Sequence, residues 1–183
     1  MSTWLVTGGA GYIGAHVVRA FSSVGITPVV VDDLSTGRAA FVPPEVTLVQ
    51  GDILDVDLLT DTLDRFNCTG VVHVAGFKYA GVSVKRPLHT YTQNVTGMVK
   101  VLDAMHRAGV NKMVFSSSAA VYGTPSTELV TEDSPTRPES PYGESKLVGE
   151  WLMSDVARAW PEFSSVALRY FNVVGSATDE VYD

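Results

Sequence analysis

A glycine-rich turn near the amino terminus constrains the fold more than any other feature of the sequence. Gly8, Gly11 and Gly14 have the spacing G-x-x-G-x-x-G and follow the apolar run Trp4–Thr7. Gly8 suits a tight turn, Gly11 lets the backbone approach a pyrophosphate, and Gly14 lets a helix pack close to a strand. The free N–H groups at the start of that helix would face the phosphates. The turn therefore predicts a Rossmann-type domain that binds a dinucleotide.

Short apolar runs alternate with amphipathic segments along the rest of the chain. The predicted strands are Trp4–Thr7, Pro28–Asp32, Thr47–Gln50, Gly70–Ala75, Lys112–Ser116 and Ser165–Arg169. The predicted helices are Gly11–Ser23, Asp55–Arg65, Leu88–Ala108 and one that starts at Ser140–Pro141 and ends at Pro161. Most of the strands are rich in valine without alternation, which is typical of strands covered on both faces. The pattern predicts an α/β fold with a doubly wound parallel sheet, in one domain over residues 1–183.

Composition excludes several classes of function. The net charge of -7 argues against nucleic acid or an anionic membrane as a partner, and no apolar run approaches the ~20 residues that span a bilayer. The amino terminus lacks the features of a secretory signal, and the single Cys68 cannot form an internal disulfide, so a cytoplasmic location is expected. His16, His73, His89 and His106 show no metal-ligand spacing, so no metal is expected. His73 is predicted to be a core or strand residue.

An acidic pair ends the second predicted strand. Asp32 and Asp33 stand eighteen residues or more beyond Gly14. A carboxylate at this position can accept hydrogen bonds from the adenosine ribose hydroxyls and would repel a 2′-phosphate. The pair therefore favours NAD over NADP, with Asp32 the better candidate.

Tyr142 and Lys146 lie four residues apart at the start of the last predicted helix, which places both side chains on one face. A tyrosine has an ordinary pKa near ~10, and a neighbouring lysine cation, a positive nicotinamide and the helix dipole would each favour its phenolate. Such a group can remove a proton from a substrate hydroxyl while hydride leaves for the cofactor. Ser118 follows the fifth strand and could hydrogen-bond the reacting oxygen. The three residues are the predicted catalytic group.

These residues lie within longer strings that span nearly the whole chain. The strings are TGGAGYIGAH, VVDDLSTG, HVAGFKYAGVSV, QNV, VFSSSAAVYG, SPYGESKLVGE and LRYFNVVG, together with Gly51-Asp52. In these strings the chain resembles the extended short-chain dehydrogenase/reductases, and among them the UDP-glucose 4-epimerases. The related 4,6-dehydratases have an Asp-Glu pair where this chain has Ser118-Ala119. The resemblance therefore favours epimerisation over elimination.

The resemblance implies a role for each matching residue. The residues implied to bind NAD are Gly8, Gly11, Tyr12, Ile13, Gly14, Asp32, Asp33, Leu34, Ser35, Thr36, Gly37, Asp52, Ile53, Val74, Ala75, Gly76, Phe77, Lys78, Asn94, Tyr142, Lys146 and Phe171. Those implied to contact the nucleotide sugar are Lys78, Ser118, Tyr142 and Asn172. Tyr12 and Ile13 would lie on the pyrophosphate, and Asp52 and Ile53 would flank the adenine.

The implied reaction is an internal redox cycle on a UDP-hexose. Tyr142 would remove the O4 proton as hydride passes from C4 to NAD, and the hydride would return to the opposite face of a 4-keto sugar. The implied assembly is a homodimer through two helices, which Met98, Met105 and Trp151 could serve. Members of this group continue into a carboxyl-terminal substrate domain that is expected to be largely absent from this chain. Residues 1–183 alone are expected to bind NAD with little activity.

Two alternatives remain open from the sequence. The first is another nucleotide-sugar 4-epimerase, acting on UDP-glucuronate or a UDP-N-acetylhexosamine, because the wall that would discriminate between such sugars lies in the missing portion. The second is a non-catalytic NAD-binding module. Proteins of that second class usually lose the Tyr/Lys pair, and both Tyr142 and Lys146 are present here.

Overall fold

The computed structural model describes residues 2–176, which form one six-stranded parallel sheet with helices on both faces. The strands are β1 Thr3–Thr7, β2 Thr27–Asp32, β3 Thr47–Gln50, β4 Cys68–His73, β5 Lys112–Ser116 and β6 Ser164–Leu168. The α-helices are α1 Tyr12–Ser23, α2 Val56–Arg65, α3 Ala80–Ser83, α4 Pro87–Tyr91, α5 Gly97–Arg107 and α6 Pro141–Ala159. The strand order is β3-β2-β1-β4-β5-β6, so the chain reverses direction across the sheet between β1 and β4. The predicted doubly wound sheet is confirmed.

Most predicted boundaries are shifted by one or two residues in the structure, and two of the differences bear on the site. β4 ends at His73, two residues before the predicted end, because the N–H groups of Val74 and Ala75 both donate to the carbonyl of Thr7 and turn the chain away from the ladder. The single helix predicted over Leu88–Ala108 is divided into α4 and α5 by a π-helical turn at Thr92–Thr96. Such turns insert an extra residue into a helix and often occur at functional sites.

The core has two layers, one on each face of the sheet. Alternate strand residues point to opposite faces, so Leu5 packs in the layer beneath α2, α5 and α6 while Val6 packs in the layer beneath α1. Met98 and Met105 are 0% exposed within the first layer, which corrects their predicted part in a dimer surface. Both methionines face the sheet because the stripe they form is the apolar face by which α5 covers it.

The start of α6 follows from local sequence. The Ser140 side chain accepts a hydrogen bond from the Gly143 N–H at 3.2 Å, and Pro141 occupies the first helical position. This cap confirms the predicted start of the helix and determines where the first two turns lie. No helix within residues 2–176 is both long enough and apolar enough to cross a membrane.

Candidate functional site

A cavity of about 850 Å³ opens at the carboxyl ends of the strands, near β1 and β4, where the strand order reverses. This is the usual place for a ligand in an open α/β sheet. The predicted site residues that line it are Gly8, Gly11, Tyr12, Ile13, Gly14, Asp32, Asp33, Ser35, Thr36, Gly37, Ile53, Val74, Ala75, Gly76, Phe77, Lys78, Ser118, Tyr142, Lys146, Phe171 and Asn172. The cavity therefore collects most of the predicted residues, from the segments that follow all six strands and from α6.

The glycine turn has the geometry that its spacing predicts. Gly8 has a φ of 72°, and a Cβ there would lie 2.7 Å from the Ala75 nitrogen. A Cβ on Gly14 would lie 2.1 Å from the Gly8 oxygen, so only glycine lets α1 pack against the turn. Gly11 caps α1 without any side-chain hydrogen bond to the first N–H groups of the helix. Those groups, together with the helix dipole, suit the pyrophosphate of a dinucleotide.

Asp32 is a buried carboxylate at the end of β2 in the cavity wall. Its Oδ2 accepts the Ala10 N–H and its Oδ1 accepts the Leu34 N–H, each at 2.9 Å. Burial raises the pKa of Asp32 above its usual value, and these two hydrogen bonds act in the opposite direction. The carboxylate retains lone pairs beyond those two bonds, which ribose hydroxyls could use. Asp33 is exposed and hydrogen-bonds Ser35, so the two acids have different surroundings.

Three of the predicted cofactor residues do not line the cavity. Leu34 adopts a φ of 59° and contributes its N–H to Asp32, while Asp52 accepts the Leu54 N–H at 2.9 Å in the turn after β3. Asn94 is buried in the π-helical turn. Its Oδ1 accepts the Phe77 N–H, and its Nδ2 donates to the Phe77 carbonyl at 3.0 Å and to Ser145 Oγ at 2.8 Å. All three residues shape loops that form the cavity.

The predicted catalytic group is brought together at one end of the cavity. Tyr142 and Ser118 share a hydrogen bond. Lys146 Nζ donates to the Ser116 carbonyl at 2.9 Å and lies 5.8 Å from the centre of the Tyr142 ring and 5.0 Å from that of Phe115. The first turns of α6 thus pack against the segment that follows β5. The arrangement places a phenol, a hydroxyl and an ammonium around one small volume.

The charge balance at Tyr142 differs from the sequence-based expectation. Burial raises the pKa of Tyr142 above its usual value, although the hydrogen bond with Ser118 acts to lower it. Burial also lowers the pKa of Lys146 to about 8. The Lys146 ammonium donates to the Ser116 carbonyl, and burial is the largest influence on the pKa of the Tyr142 phenol. Burial thus favours the protonated phenol, whereas positive charge near the ring would favour the phenolate.

Several cavity residues were not predicted. Tyr170 lines the cavity and donates its hydroxyl hydrogen to Ser116 Oγ, and Arg86, His89 and Gln93 line it from the side of α4. Tyr170 immediately precedes Phe171, so its place in the string LRYFNVVG was a usable signal. The three residues around α4 gave no such signal, because they reach the cavity through the packing of a short helix rather than through a motif.

The sheet order, the glycine turn and the Ser-Tyr-Lys group define a protein of the short-chain dehydrogenase/reductase class, built on a Rossmann fold. Residues 4–182 match the NAD dependent epimerase/dehydratase family, and the chain belongs to that family. The resemblance inferred from the sequence strings is confirmed at this level.

Several relatives within the family are named UDP-glucose 4-epimerase. The chain is 46% identical to a UDP-glucose 4-epimerase from Azospirillum brasilense over 172 residues, which cover 94% of this chain and 49% of that protein. A UDP-glucose 4-epimerase from Brucella ovis, solved in complex with NAD, has a TM-score of 0.91 and 40% identity over 94% of this chain and 52% of its own. One from Bifidobacterium longum, solved with NAD⁺ and UDP, has a TM-score of 0.89, 36% identity and coverages of 93% and 53%. The chain spans about half the length of the curated relatives it matches.

Proposed function

We propose that this chain is the cofactor-binding and catalytic portion of a UDP-glucose 4-epimerase, which interconverts UDP-galactose and UDP-glucose. The observation that carries the proposal is the position of Tyr142, Ser118 and Lys146 in the same cavity as the glycine turn. A dinucleotide on that turn and a sugar beside Tyr142 would then meet at one end of the sheet. The names of the relatives support the same reaction.

The residues present suit NAD as the cofactor. The turn Gly8–Gly14 would hold the pyrophosphate, Asp32 the adenosine ribose, and Lys78, Lys146 and Phe171 the nicotinamide half. When bound, NAD supplies the acceptor for hydride from the sugar C4 and then the donor that returns it. The buried Asp32 carboxylate favours NAD over NADP because it would repel a 2′-phosphate.

The chain's own residues would handle the proton of the sugar O4. Tyr142 would act as the phenolate, which the hydrogen bond with Ser118 favours, and would take the proton of the substrate hydroxyl and later return it. Lys146, which the Ser116 carbonyl holds, would keep a positive charge beside this pair. The same phenol can take the proton in one direction and give it back in the other, as a reversible epimerisation requires.

The distribution of acids around the cavity favours epimerisation over elimination. Asp32 and Asp33 are the acidic side chains among the described residues that line it, and both lie at the end of β2 on the ribose side. Ser118 and Ala119 stand where an elimination would need a proton donor and base. A 4,6-dehydratase activity therefore has less support than an epimerase activity.

The proposal extends to substrate and assembly. The substrate is a UDP-hexose, which Lys78, Ser118, Tyr142 and Asn172 would contact. We infer a homodimer in which the outer faces of α5 and α6 meet, since Trp151 is 58% exposed on α6. The single free Cys68 suits a cytoplasmic setting. The proposed interconversion of UDP-galactose and UDP-glucose implies a part in galactose metabolism.

The test is a nucleotide analysis followed by an assay. Acid treatment of the purified protein should release NAD, and UDP-galactose should be converted to UDP-glucose. Tyr142→Phe should keep its NAD and lose about 100-fold or more of the activity, because general acid–base catalysis contributes ~10² to 10⁴-fold. Ser154→Ala, on the exposed side of the same helix, should retain full activity.

Two results would contradict this proposal. If acid treatment releases no NAD from the wild-type protein, the proposed cofactor is wrong. If Tyr142→Phe has undiminished activity, the proposed mechanism is wrong, although the fold is unaffected. Parallel assays with UDP-N-acetylgalactosamine and UDP-glucuronate distinguish the alternative nucleotide-sugar epimerases. NAD binding with no turnover of any of these sugars would favour the non-catalytic module.

A further inference from the structure

Helix α6 carries a third polar residue in line with the two proposed for catalysis. Tyr142, Lys146 and Glu150 follow one another at intervals of four residues, so they form a stripe along one face of the helix. Each contacts a different member of the serine turn, which we define as residues 116–118. Tyr142 hydrogen-bonds Ser118, Lys146 donates to the Ser116 carbonyl, and Glu150 accepts from Ser117 Oγ. The last of these three contacts has no part in the proposed reaction.

Ser117 differs from its two neighbours in its direction. Ser116 and Ser118 line the cavity, whereas Ser117 is 1% exposed and does not. Its hydroxyl instead donates to the Glu150 carboxylate. A buried hydroxyl bonded to a carboxylate is a strong local constraint, because charge-assisted hydrogen bonds are about twice as strong as neutral ones. The residue directly before Ser118 is therefore fixed from the side of the turn that faces away from the substrate.

Glu150 is itself held by a largely buried ion pair with Arg169. Arg169, at the end of β6, donates to Glu150 Oε2 at 2.6 Å through Nη2 and to Oε1 at 2.9 Å through Nε. The two side chains are only 22% and 12% exposed. The hydrogen bond with Glu150 raises the pKa of the Arg169 guanidinium above its usual value. Arg169 also donates to the Tyr122 hydroxyl and the Glu132 carbonyl, each at 3.1 Å, so it cannot easily follow Glu150 if the pair moves.

We propose that Glu150 is a positioning residue, which acts through Ser117 to keep Ser118 within hydrogen-bond reach of Tyr142. The serine turn has other restraints near this point, which are backbone hydrogen bonds of Ser117, Ser118 and Ala119, the Ala120 N–H on Ser118 Oγ and the Tyr170 hydroxyl on Ser116 Oγ. None of these bonds involves the side chain of Ser117, which connects the turn to the helix that carries Tyr142. The catalytic consequence rests on the proposed function, whereas the effect on the Ser118–Tyr142 pair does not.

Ser117→Ala is the decisive variant, because it removes the link to the turn and leaves the Glu150–Arg169 pair and the cavity lining unchanged. In the purified protein, kcat for UDP-galactose should fall about 10-fold to 100-fold, since small misplacements of reacting groups have effects of that size. The KM and the amount of bound NAD should stay at wild-type values. Glu150→Gln keeps an oxygen that can accept from Ser117, so it should retain more activity than Glu150→Ala.

Matched controls come from the same helix. Ser154→Ala removes an exposed hydroxyl, and Asp155→Asn weakens an exposed pair with Arg158 at 3.2 Å whose side chains are 70% and 78% exposed. Both variants should keep the wild-type kcat. A kcat that falls as much in these controls as in Ser117→Ala would overturn the proposal, because the loss would then be a general effect of altering α6.

A second measurement does not depend on turnover. With ¹³Cζ-labelled tyrosine, the Tyr142 resonance is identified by its absence in Tyr142→Phe, and its ionisation is followed with pH by NMR. The hydrogen bond with Ser118 lowers the pKa of Tyr142, so a weaker bond in Ser117→Ala should move the midpoint to higher pH. Glu150→Ala should move it in the same direction.

The two measurements separate the two proposals. A wild-type protein without epimerase activity contradicts the proposed function, yet a raised Tyr142 midpoint in Ser117→Ala still supports the positioning role. A midpoint that is unchanged in both Ser117→Ala and Glu150→Ala overturns the positioning role, whatever the activity of the wild-type protein.

Discussion

His73 is the last residue of β4, and its imidazole is buried. Its Nδ1 lies 2.7 Å from Thr7 Oγ1, and its ring stacks on Phe115 with centres 5.8 Å apart. Burial, and secondarily the charge of Lys146, lowers the pKa of His73 to about 3. The prediction of a core or strand histidine is confirmed. The imidazole is therefore neutral at physiological pH. The described residues contain no group of three or more potential metal ligands.

The buried imidazole predicts a specific loss of stability in acid. Between pH 6.5 and about 3 the unfolded chain binds a proton at His73 that the native chain does not bind. The free energy of unfolding should therefore decrease as the pH falls through this range, by up to about 1.4 kcal/mol per pH unit. His73→Gln should show a shallower slope than wild type in urea titrations between pH 4 and 6.

The matched control for this prediction is His106→Gln, because His106 is exposed on α5 and stacks on Trp160. Its slope should follow that of the wild type. Equal slopes in wild type and His73→Gln would show that the native protein does bind a proton at His73 in this range. The inference that the buried imidazole stays neutral in this range would then be wrong.

At the scale of the element, two glycines in the turn between β1 and α1 have different roles, one in folding and one in ligand binding. A Cβ at Gly14 would collide with the Gly8 oxygen at 2.1 Å, whereas a Cβ at Gly11 would meet that oxygen at 3.4 Å, an ordinary contact. Gly11 also has an extended backbone, with φ of -83°, that any residue can adopt. Gly14 is therefore needed for packing, while Gly11 is needed only where a ligand approaches the backbone.

Gly11→Ala should fold normally and bind NAD poorly. We expect an unchanged melting temperature and an NAD affinity lower by about tenfold or more, which corresponds to ~1.4 kcal/mol of binding free energy. Calorimetric titration of NAD-free protein measures the affinity. Gly81→Ala is the control, because a Cβ at that position meets nothing within 4 Å and should alter neither quantity. If Gly11→Ala binds NAD as tightly as wild type, the pyrophosphate does not lie on this turn.

The elements that could be predicted from the sequence are those that local chemistry determines. The glycine spacing, the valine-rich strands and the Ser140–Pro141 cap each carry their own structural signal, and the structure confirms them. The π-helical turn has no such signal, because Thr92–Thr96 continues a helical pattern on both sides. The turn becomes understandable only through Asn94, whose side chain bonds Phe77 and Ser145 across the fold.

Electrostatics at the site could be predicted only in part, for the same reason. The spacing of Tyr142 and Lys146 predicts their common face, which the structure confirms. The pKa of Tyr142 depends on how deeply the phenol is enclosed, and the partner of Lys146 is a main-chain carbonyl contributed by β5. Neither quantity follows from the order of residues along α6. Glu150 was likewise visible as the last letter of SPYGESKLVGE, but its contact with Ser117 was not.

At the scale of the whole molecule, the helices α5 and α6, which cover one face of the sheet, leave apolar side chains exposed on their outer surface. Trp151 on α6 and Val99 on α5 are 58% and 44% exposed, whereas Met98 and Met105 face the core. The His106–Trp160 stack shows that α5 and α6 lie side by side at their carboxyl ends. Large exposed aromatic residues are frequent anchors of protein interfaces. The surface around Trp151 is therefore the best-supported place for the proposed homodimer contact.

Trp151→Glu tests that contact directly. Light scattering after gel filtration should give twice the chain mass of 19.6 kDa for the wild type and about the single mass for the variant, because a charge at the centre of an apolar contact is unpaired once buried. Trp151 does not line the cavity, so the variant should retain its NAD. Leu129→Glu, which alters an 84% exposed loop residue, should remain dimeric. A wild-type monomer would contradict the homodimer itself, and a dimeric Trp151→Glu would place the interface on another face of the molecule.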